Sequence, residues 1–108
     1  PYWDLSFPAV LKAYLEAVCV CGLTFCYGED GLPHSLCKAK RLIYVTTSGG
    51  YIGEMNFGFD YVKGLCKSFF EIDDARFVSA QGLDIDGNDP EMILRDAIDR
   101  LAFDFRCF

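Results

Sequence analysis

Two short segments of this chain combine residue types suited to holding a flat, polar ring. Thr47-Ser48-Gly49-Gly50 follows an apolar run, and its glycines let backbone N–H groups approach ring acceptors with no side chain intervening. The hydroxyls of Thr47 and Ser48 add further donors. Pro1-Tyr2-Trp3-Asp4-Leu5 opens the chain with two aromatic side chains able to stack on, or edge, the same ring. Taken singly, the glycine pair reads as an ordinary turn and the aromatics as surface packing. Placed together on one edge of a fold, they read as a site for a planar heterocycle. No side-chain nucleophile and no acid–base pair is evident, so no catalytic side chain is assigned.

Cys19, Cys21, Cys26 and Cys37, with the one histidine at His34, can also be drawn as a zinc site. The spacing argues against it. Cys19 and Cys21 stand at i and i+2 near a predicted helix end, where side chains diverge, so no metal site is expected. The six cysteines are read as reduced, packed thiols, because a disulfide framework belongs to small secreted domains that lack a core.

The elements that must position these residues follow from periodicity. Residues 6–20 are predicted to be a helix: Ser6 is a candidate cap, Pro8 fits a first-turn position, and Val10, Leu11, Tyr14, Leu15 and Val18 recur at helical spacing. Lys12 and Glu16 form an i,i+4 pair on its polar side. Gly22 ends the helix, and residues 27–33 read as a loop by their glycines, proline and acids. Leu42-Ile43-Tyr44-Val45 is expected to be a strand buried on both faces, with residues 46–50 as the turn after it. A second helix is predicted over residues 57–70, although Gly58 and Gly64 interrupt it. A second strand is predicted at Arg76-Phe77-Val78-Ser79-Ala80, ended by Gln81-Gly82. Asp89-Pro90-Glu91 then starts a third helix that runs to the chain end.

Helix, strand, helix, strand, helix implies an α/β fold with a parallel sheet. A doubly wound sheet normally has about five or six strands, so the others are expected before Pro1, in another chain, or in a partner copy. Ligands of such sheets bind beyond the carboxyl ends of the strands. The loops at residues 1–5, at residues 46–51 and around Gln81-Gly82 are expected to open together on that edge.

With 52% hydrophobic and 16% aromatic residues, the 108-residue chain has ample material for one core. Its net charge of −6 and pI near 4.5 argue against a nucleic-acid surface and disfavour anionic membranes. The longest nearly apolar run, residues 17–27, is interrupted by Gly22 and Thr24 and falls well short of the roughly 20 residues that span a bilayer, so no membrane insertion is expected. There is no initiating Met, basic n-region or signal-peptide pattern. The opening reads as cut from something longer, and the expected location is cytoplasmic.

Residues 1–14, from Pro1-Tyr2-Trp3-Asp4-Leu5-Ser6-Phe7-Pro8 to Lys12-Ala13-Tyr14, resemble the flavodoxin-like NAD(P)H:quinone reductase and FMN-dependent azoreductase family. Gly22-Leu23-Thr24-Phe25, Val45-Thr46-Thr47-Ser48-Gly49-Gly50 and Phe77-Val78-Ser79-Ala80-Gln81-Gly82 extend the resemblance over nearly the whole chain. What corresponds is the family's carboxyl-terminal half. The resemblance implies that residues 1–108 are the carboxyl-terminal part of a single flavodoxin-like doubly wound domain, without its amino-terminal strands and phosphate-binding loop.

In that family the loop matching Tyr2 to Leu5 and the turn matching Thr47 to Gly50 contact the isoalloxazine ring and leave its N5 exposed. The resemblance therefore implies FMN, or alternatively FAD, held by Pro1, Tyr2, Trp3, Asp4, Leu5, Thr47, Ser48, Gly49 and Gly50. It implies NAD(P)H as co-substrate and a quinone, azo or nitroaromatic electron acceptor. Phe25 and Tyr51 would border the substrate cavity, and the working unit would be a homodimer. Asp4 stands where the family more often has Asn or Gln, which replaces an amide donor by a carboxylate acceptor. Ser48 stands where relatives often have Gly or Arg. The family's phosphate anchor is a strand-to-helix turn not found here, so weak or no flavin affinity is expected of this portion alone. The alternative is a non-catalytic regulatory or binding subunit of the same shape, since ancillary subunits of potassium-efflux systems share a similar Tyr-Trp and Thr-Thr-Gly-rich pattern. A truncated product without independent activity is a further reading.

Overall fold

The computed structural model describes residues 1–106. Helix α1 (Ala9–Val18) starts after Pro8, whose extended backbone serves as the cap without a side-chain hydrogen bond. The helix is thus shorter than residues 6–20. Ser6 is not its cap, because Ser6 and Trp3 exchange backbone hydrogen bonds of 2.9 and 3.2 Å across a tight turn. The helix ends at Val18 with Cys19 as its cap, so Gly22 does not end it; Gly22 takes a φ of 88° in the turn that follows, a conformation open to glycine at little cost. Leu15 is buried and Leu11 half-buried, while Val10 and Tyr14 face away from the core despite their helical spacing.

The loop read at residues 27–33 is the connection of a small antiparallel hairpin of β1 (Phe25–Tyr27) and β2 (Pro33–Ser35), strands the sequence reading did not include, with Cys26 opposite His34. Asp30 holds the connection by accepting the Leu32 N–H at 2.9 Å, and it takes the His34 ring nitrogen at 2.9 Å. The carboxyl of Asp30 lies below the usual aspartate range, first through the Leu32 N–H and then through His34.

Strand β3 (Arg41–Thr47), helix α2 (Phe57–Phe70) and strand β4 (Asp74–Ala80) form a right-sized crossover unit whose strands pair in parallel, Arg41 beside Asp74 through Thr47 beside Ala80. Both strands are longer than predicted, and Thr46 and Thr47 belong to β3 rather than to the turn. Helix α2 covers one face of β3, where Tyr44 packs with Val62, Cys66, Phe70 and Ile72. Gly58 permits this approach: a Cβ there would lie 2.6 Å from the Tyr44 hydroxyl and 3.2 Å from the Ser6 carbonyl carbon. The helix ends at Glu71, which takes a left-handed φ of 53°.

Helix α3 (Pro90–Arg106) is capped by the Asp89 carboxylate, which accepts the N–H groups of Glu91 and Met92 at 3.1 and 3.3 Å. Its predicted continuation through Cys107 and Phe108 lies outside the described residues. This helix packs on β4 from the face opposite α2, burying Ala97 and Val78. It stops short of β3. Val45 remains 56% exposed, so β3 is buried on one face and open on the other, in contrast to the two-sided burial its apolar run suggests. At the amino ends of the strands, Asp74 accepts from both Arg41 and Arg76, and Arg76 reaches Asp104 of α3 at 3.1 Å. Among the described residues no helix is long and apolar enough to cross a membrane.

Candidate functional site

The carboxyl ends of β3 and β4 are laced together by backbone hydrogen bonds beyond the ladder itself. Ser48 N–H donates to Ala80 O at 2.9 Å, Leu83 N–H to Ser48 O at 3.2 Å, Asp84 N–H to Gly49 O at 3.0 Å, and Gly82 N–H to Gly50 O at 3.1 Å. These bonds fix the two loops as one double turn. Gly82 sits at a φ of 76°, and a Cβ there would meet Asn88 Nδ2 at 2.8 Å, so glycine is needed both for conformation and for room. Gln81 braces the turn from behind: its carbonyl oxygen accepts Ile52 N–H at 2.8 Å and its amide donates to Ser79 Oγ at 2.7 Å.

The first loop is tied to the same edge. Tyr2 N–H donates to Thr47 O at 2.8 Å, and the Tyr2 hydroxyl donates to Met55 O at 2.9 Å. Asp4 and Leu5 then turn the chain with φ of 49° and 69° between the paired Trp3 and Ser6. Positive φ at both central residues marks a type I′ turn, which favours Asn-Gly and costs non-glycine residues about 1–2 kcal/mol each.

A cleft of about 330 Å³ lies where these loops meet. It brings together residues 1–3 of the first loop, residues 47–49 of the second, and Leu83 and Asp84 of the third. Of the residues singled out in the sequence, Pro1, Tyr2, Trp3, Thr47, Ser48 and Gly49 line it. Asp4, Leu5 and Gly50 stand in the adjoining turns. Tyr51 faces a neighbouring cleft beside Gln81, Asp96 and Arg100. Phe25 is only 5% exposed and packs edge-on against Phe69 with ring centroids 4.8 Å apart, a core position in the hairpin.

The donor set differs in detail from the one expected. Ser48 is buried, and its hydroxyl donates to Gly50 O at 2.7 Å, so it stabilises its own turn. Gly49 contributes backbone: its N–H has no acceptor among the described residues, and a Cβ at this position would lie 3.0 Å from Asp84 Cγ. Asp84 was not singled out by sequence. Its only signal is its position just beyond Gln81-Gly82, the third loop expected on this edge. Trp3, Asp84 and the Gly49 N–H give the cleft an aromatic face, a carboxylate acceptor and a backbone donor. The lining contains no Lys or Arg. A flat heterocycle with ring N–H and carbonyl groups fits this donor set, and a phosphate does not.

Cys19, Cys21, Cys26, Cys37 and His34 lie outside this cleft. Cys19 and Cys37 pack against the core beside buried Cys66, whose thiol is pushed up by burial and then by those two neighbours. Among the described residues, no group of three or more His, Cys, Asp or Glu side chains is placed to hold a metal.

Comparison with known proteins places these features. The model of a family described as having a flavodoxin-like fold matches residues 1–102. The FMN-dependent NADH:quinone oxidoreductase 2 of Clostridium acetobutylicum is 39% identical over 105 residues, covering 93% of this chain and 52% of that protein. Among solved structures, an FMN-dependent NADH-azoreductase from Bacillus anthracis str. Ames Ancestor in complex with FMN superposes with a TM-score of 0.75 at 27% identity, over 91% of this chain and 48% of the other. An azoreductase from Bacillus anthracis str. Sterne gives a TM-score of 0.81 at 26% identity, over 100% of this chain and 53% of the other. The chain spans about half the length of the curated relatives it matches, and its fold corresponds to the carboxyl-terminal half of the azoreductase structures.

Proposed function

The chain belongs to the flavodoxin-like fold family, and on that premise we propose that it is the ring-binding part of an FMN-dependent oxidoreductase that passes hydride from NADH to a quinone or azo compound. The observation that carries this reading is the cleft in which residues 1–3, residues 47–49 and Asp84 converge at the carboxyl ends of two parallel strands. FMN, when bound, supplies hydride acceptance and release at its ring N5.

The chain's own residues supply position. Tyr2 and Trp3 offer aromatic surface, and the Gly49 N–H offers a donor held by the laced turns, so little reorganisation accompanies binding. Asp84 accepts from a ring N–H. Asp4 and Leu5, on the strained I′ turn, hold the loop that carries Trp3 to the cleft. The names of the relatives favour FMN over FAD and NADH as the hydride source. A homodimeric enzyme in the cytoplasm completes the proposal.

The test is a chimera in which the amino-terminal half of the Clostridium acetobutylicum relative precedes Pro1. It is expected to purify with a yellow cofactor and to oxidise NADH in the presence of a quinone or an azo dye. A folded chimera that binds no flavin, or binds it without NADH turnover, refutes the reading. The isolated chain, having no cation in its cleft, is expected to bind FMN more weakly than the micromolar range.

A further inference from the structure

Three thiols from three separate segments of the chain converge on one core cluster. Cys19 caps the end of α1, Cys37 follows β2, and Cys66 lies within α2. Cys19 and Cys37 are half-buried against the cluster that contains Cys66, and all three are free thiols. None of them lines the cleft at the carboxyl ends of the strands.

Thr24 holds the residue that precedes each of the first two. Its hydroxyl donates to Val18 O at 2.6 Å, and its carbonyl accepts Leu36 N–H at 2.8 Å. The pairing of Phe25 with Ser35 thus continues one step past the hairpin and carries Cys37 toward the end of α1. Ser35 fixes Cys37 further: the Cys37 N–H donates to Ser35 Oγ at 3.0 Å, and that hydroxyl donates to Cys37 O at 3.3 Å. Cys66 is different, being buried in the middle of a helix. Its thiol is pushed up first by burial and then by Cys37 and Cys19, which puts both within electrostatic reach of it. Burial also keeps Cys66 in the protonated form, which does not attack.

We propose that Cys19 and Cys37 are a redox-active pair, oxidised by a peroxide to a reversible disulfide that clamps the hairpin to the end of α1. The thiolate of one cysteine attacks a peroxide oxygen, and the O–O bond breaks. The departing oxygen takes a proton and leaves as water, or as an alcohol from an organic peroxide, and the cysteine becomes a sulfenic acid. The second cysteine gives up its proton to the sulfenic hydroxyl and attacks that sulfur, so that the S–S bond forms, the S–O bond breaks and water leaves. The pair loses two electrons and the peroxide gains them; a thiol reductant reverses the change. Closing the loop between the two cysteines restricts the unfolded chain and so stabilises the folded one. Cys66 stays a thiol throughout. Nothing in this proposal depends on flavin or NADH.

The chain would be treated with hydrogen peroxide, unfolded, alkylated at its remaining thiols and cleaved after glutamate without reductant. Cleavage after Glu16, Glu29, Glu54, Glu71 and Glu91 puts Cys19, Cys37, Cys66 and Cys107 on separate peptides. A link between peptides 17–29 and 30–54 is expected, absent before oxidation and removed by dithiothreitol, with Cys66 alkylated. Peptide 17–29 also contains Cys21 and Cys26, so a chain carrying both Cys21→Ser and Cys26→Ser is expected to link at the parental yield. The oxidised chain is expected to unfold about 5 °C above the reduced one. Absence of the link, its loss in the double variant, or a link through Cys66 or Cys107 overturns the pairing. A link that leaves Tm unchanged or lower overturns the clamp.

Discussion

Gly49 and Asp84 meet backbone to backbone, the Asp84 N–H donating to the Gly49 carbonyl at 3.0 Å, with the Asp84 carboxylate occupying the space a Cβ on Gly49 would need. The contact sets both the width of the cleft and the direction of its acidic group. Gly49 does not have a positive φ, so alanine is conformationally tolerated there. Gly49→Ala is therefore expected to displace the carboxylate into the cleft and weaken FMN binding by the flavin-competent chimera about tenfold or more. Its unfolding free energy should stay within about 0.5 kcal/mol of the parent. Flavin fluorescence titration alongside urea unfolding separates the two effects, and unaltered FMN affinity would remove Gly49 from the site.

Gly58 tests a different kind of close approach. By helix propensity alone, glycine to alanine inside α2 would stabilise by about 1 kcal/mol. Here the added methyl meets the Tyr44 hydroxyl and the backbone of Ser6, which must shift. Overpacking of this kind costs about 1–3 kcal/mol, so Gly58→Ala is expected to destabilise the chain overall. A urea midpoint that rises instead would mean that the first loop yields easily.

These two glycines also mark what could be read before the structure. The limits of α2 follow from its apolar period, yet Gly58 looks like a defect in that period until Tyr44 and Ser6 are placed beside it. Asp89 and Pro90 announce α3 because capping is local chemistry. The hairpin gives no such notice, since strands of three residues are too short to display alternation and Phe25 resembles any aromatic beside a turn. Apolar content made β3 look buried on both faces, but Val45 depends on what packs above it, which is not a property of its neighbours in sequence. In the cleft, residues 1–3 are legible by their aromatic side chains, and residues 47–49 by hydroxyls and a glycine at the end of an apolar run. Asp84 is placed by backbone bonds between two loops, and Ser48 is claimed by Gly50, and neither relationship leaves a pattern in side-chain type.

Thr46 carries a buried hydroxyl with no hydrogen-bond partner among the described residues. A buried hydroxyl without a partner costs about 1–3 kcal/mol of desolvation. Valine has nearly the same shape and keeps the β-branched side chain favoured in a strand. Thr46→Val is expected to stabilise the isolated chain by about 1 kcal/mol, read as a higher urea midpoint at constant slope. A lower midpoint would show that the hydroxyl is satisfied in solution.

Asp74 links the acid stability of the sheet to its own charge. Its carboxyl lies below the ordinary aspartate value of 3.8, first through the hydrogen bond from Arg76 and then through that from Arg41. A carboxylate with a depressed folded-state pKa binds fewer protons folded than unfolded at pH values between the two constants. Its contribution is therefore complete above the unfolded value and is lost as pH falls through the lower folded value. The arginines stay charged throughout, and that of Arg76 is held further from deprotonation by Asp74. Urea unfolding between pH 6 and pH 2 is therefore expected to show parental stability declining below about pH 4. Asp74→Asn should be less stable at pH 6 and flatter below pH 4, because the titrating group has gone. Equal pH slopes for the two proteins would place the acid sensitivity of the fold elsewhere.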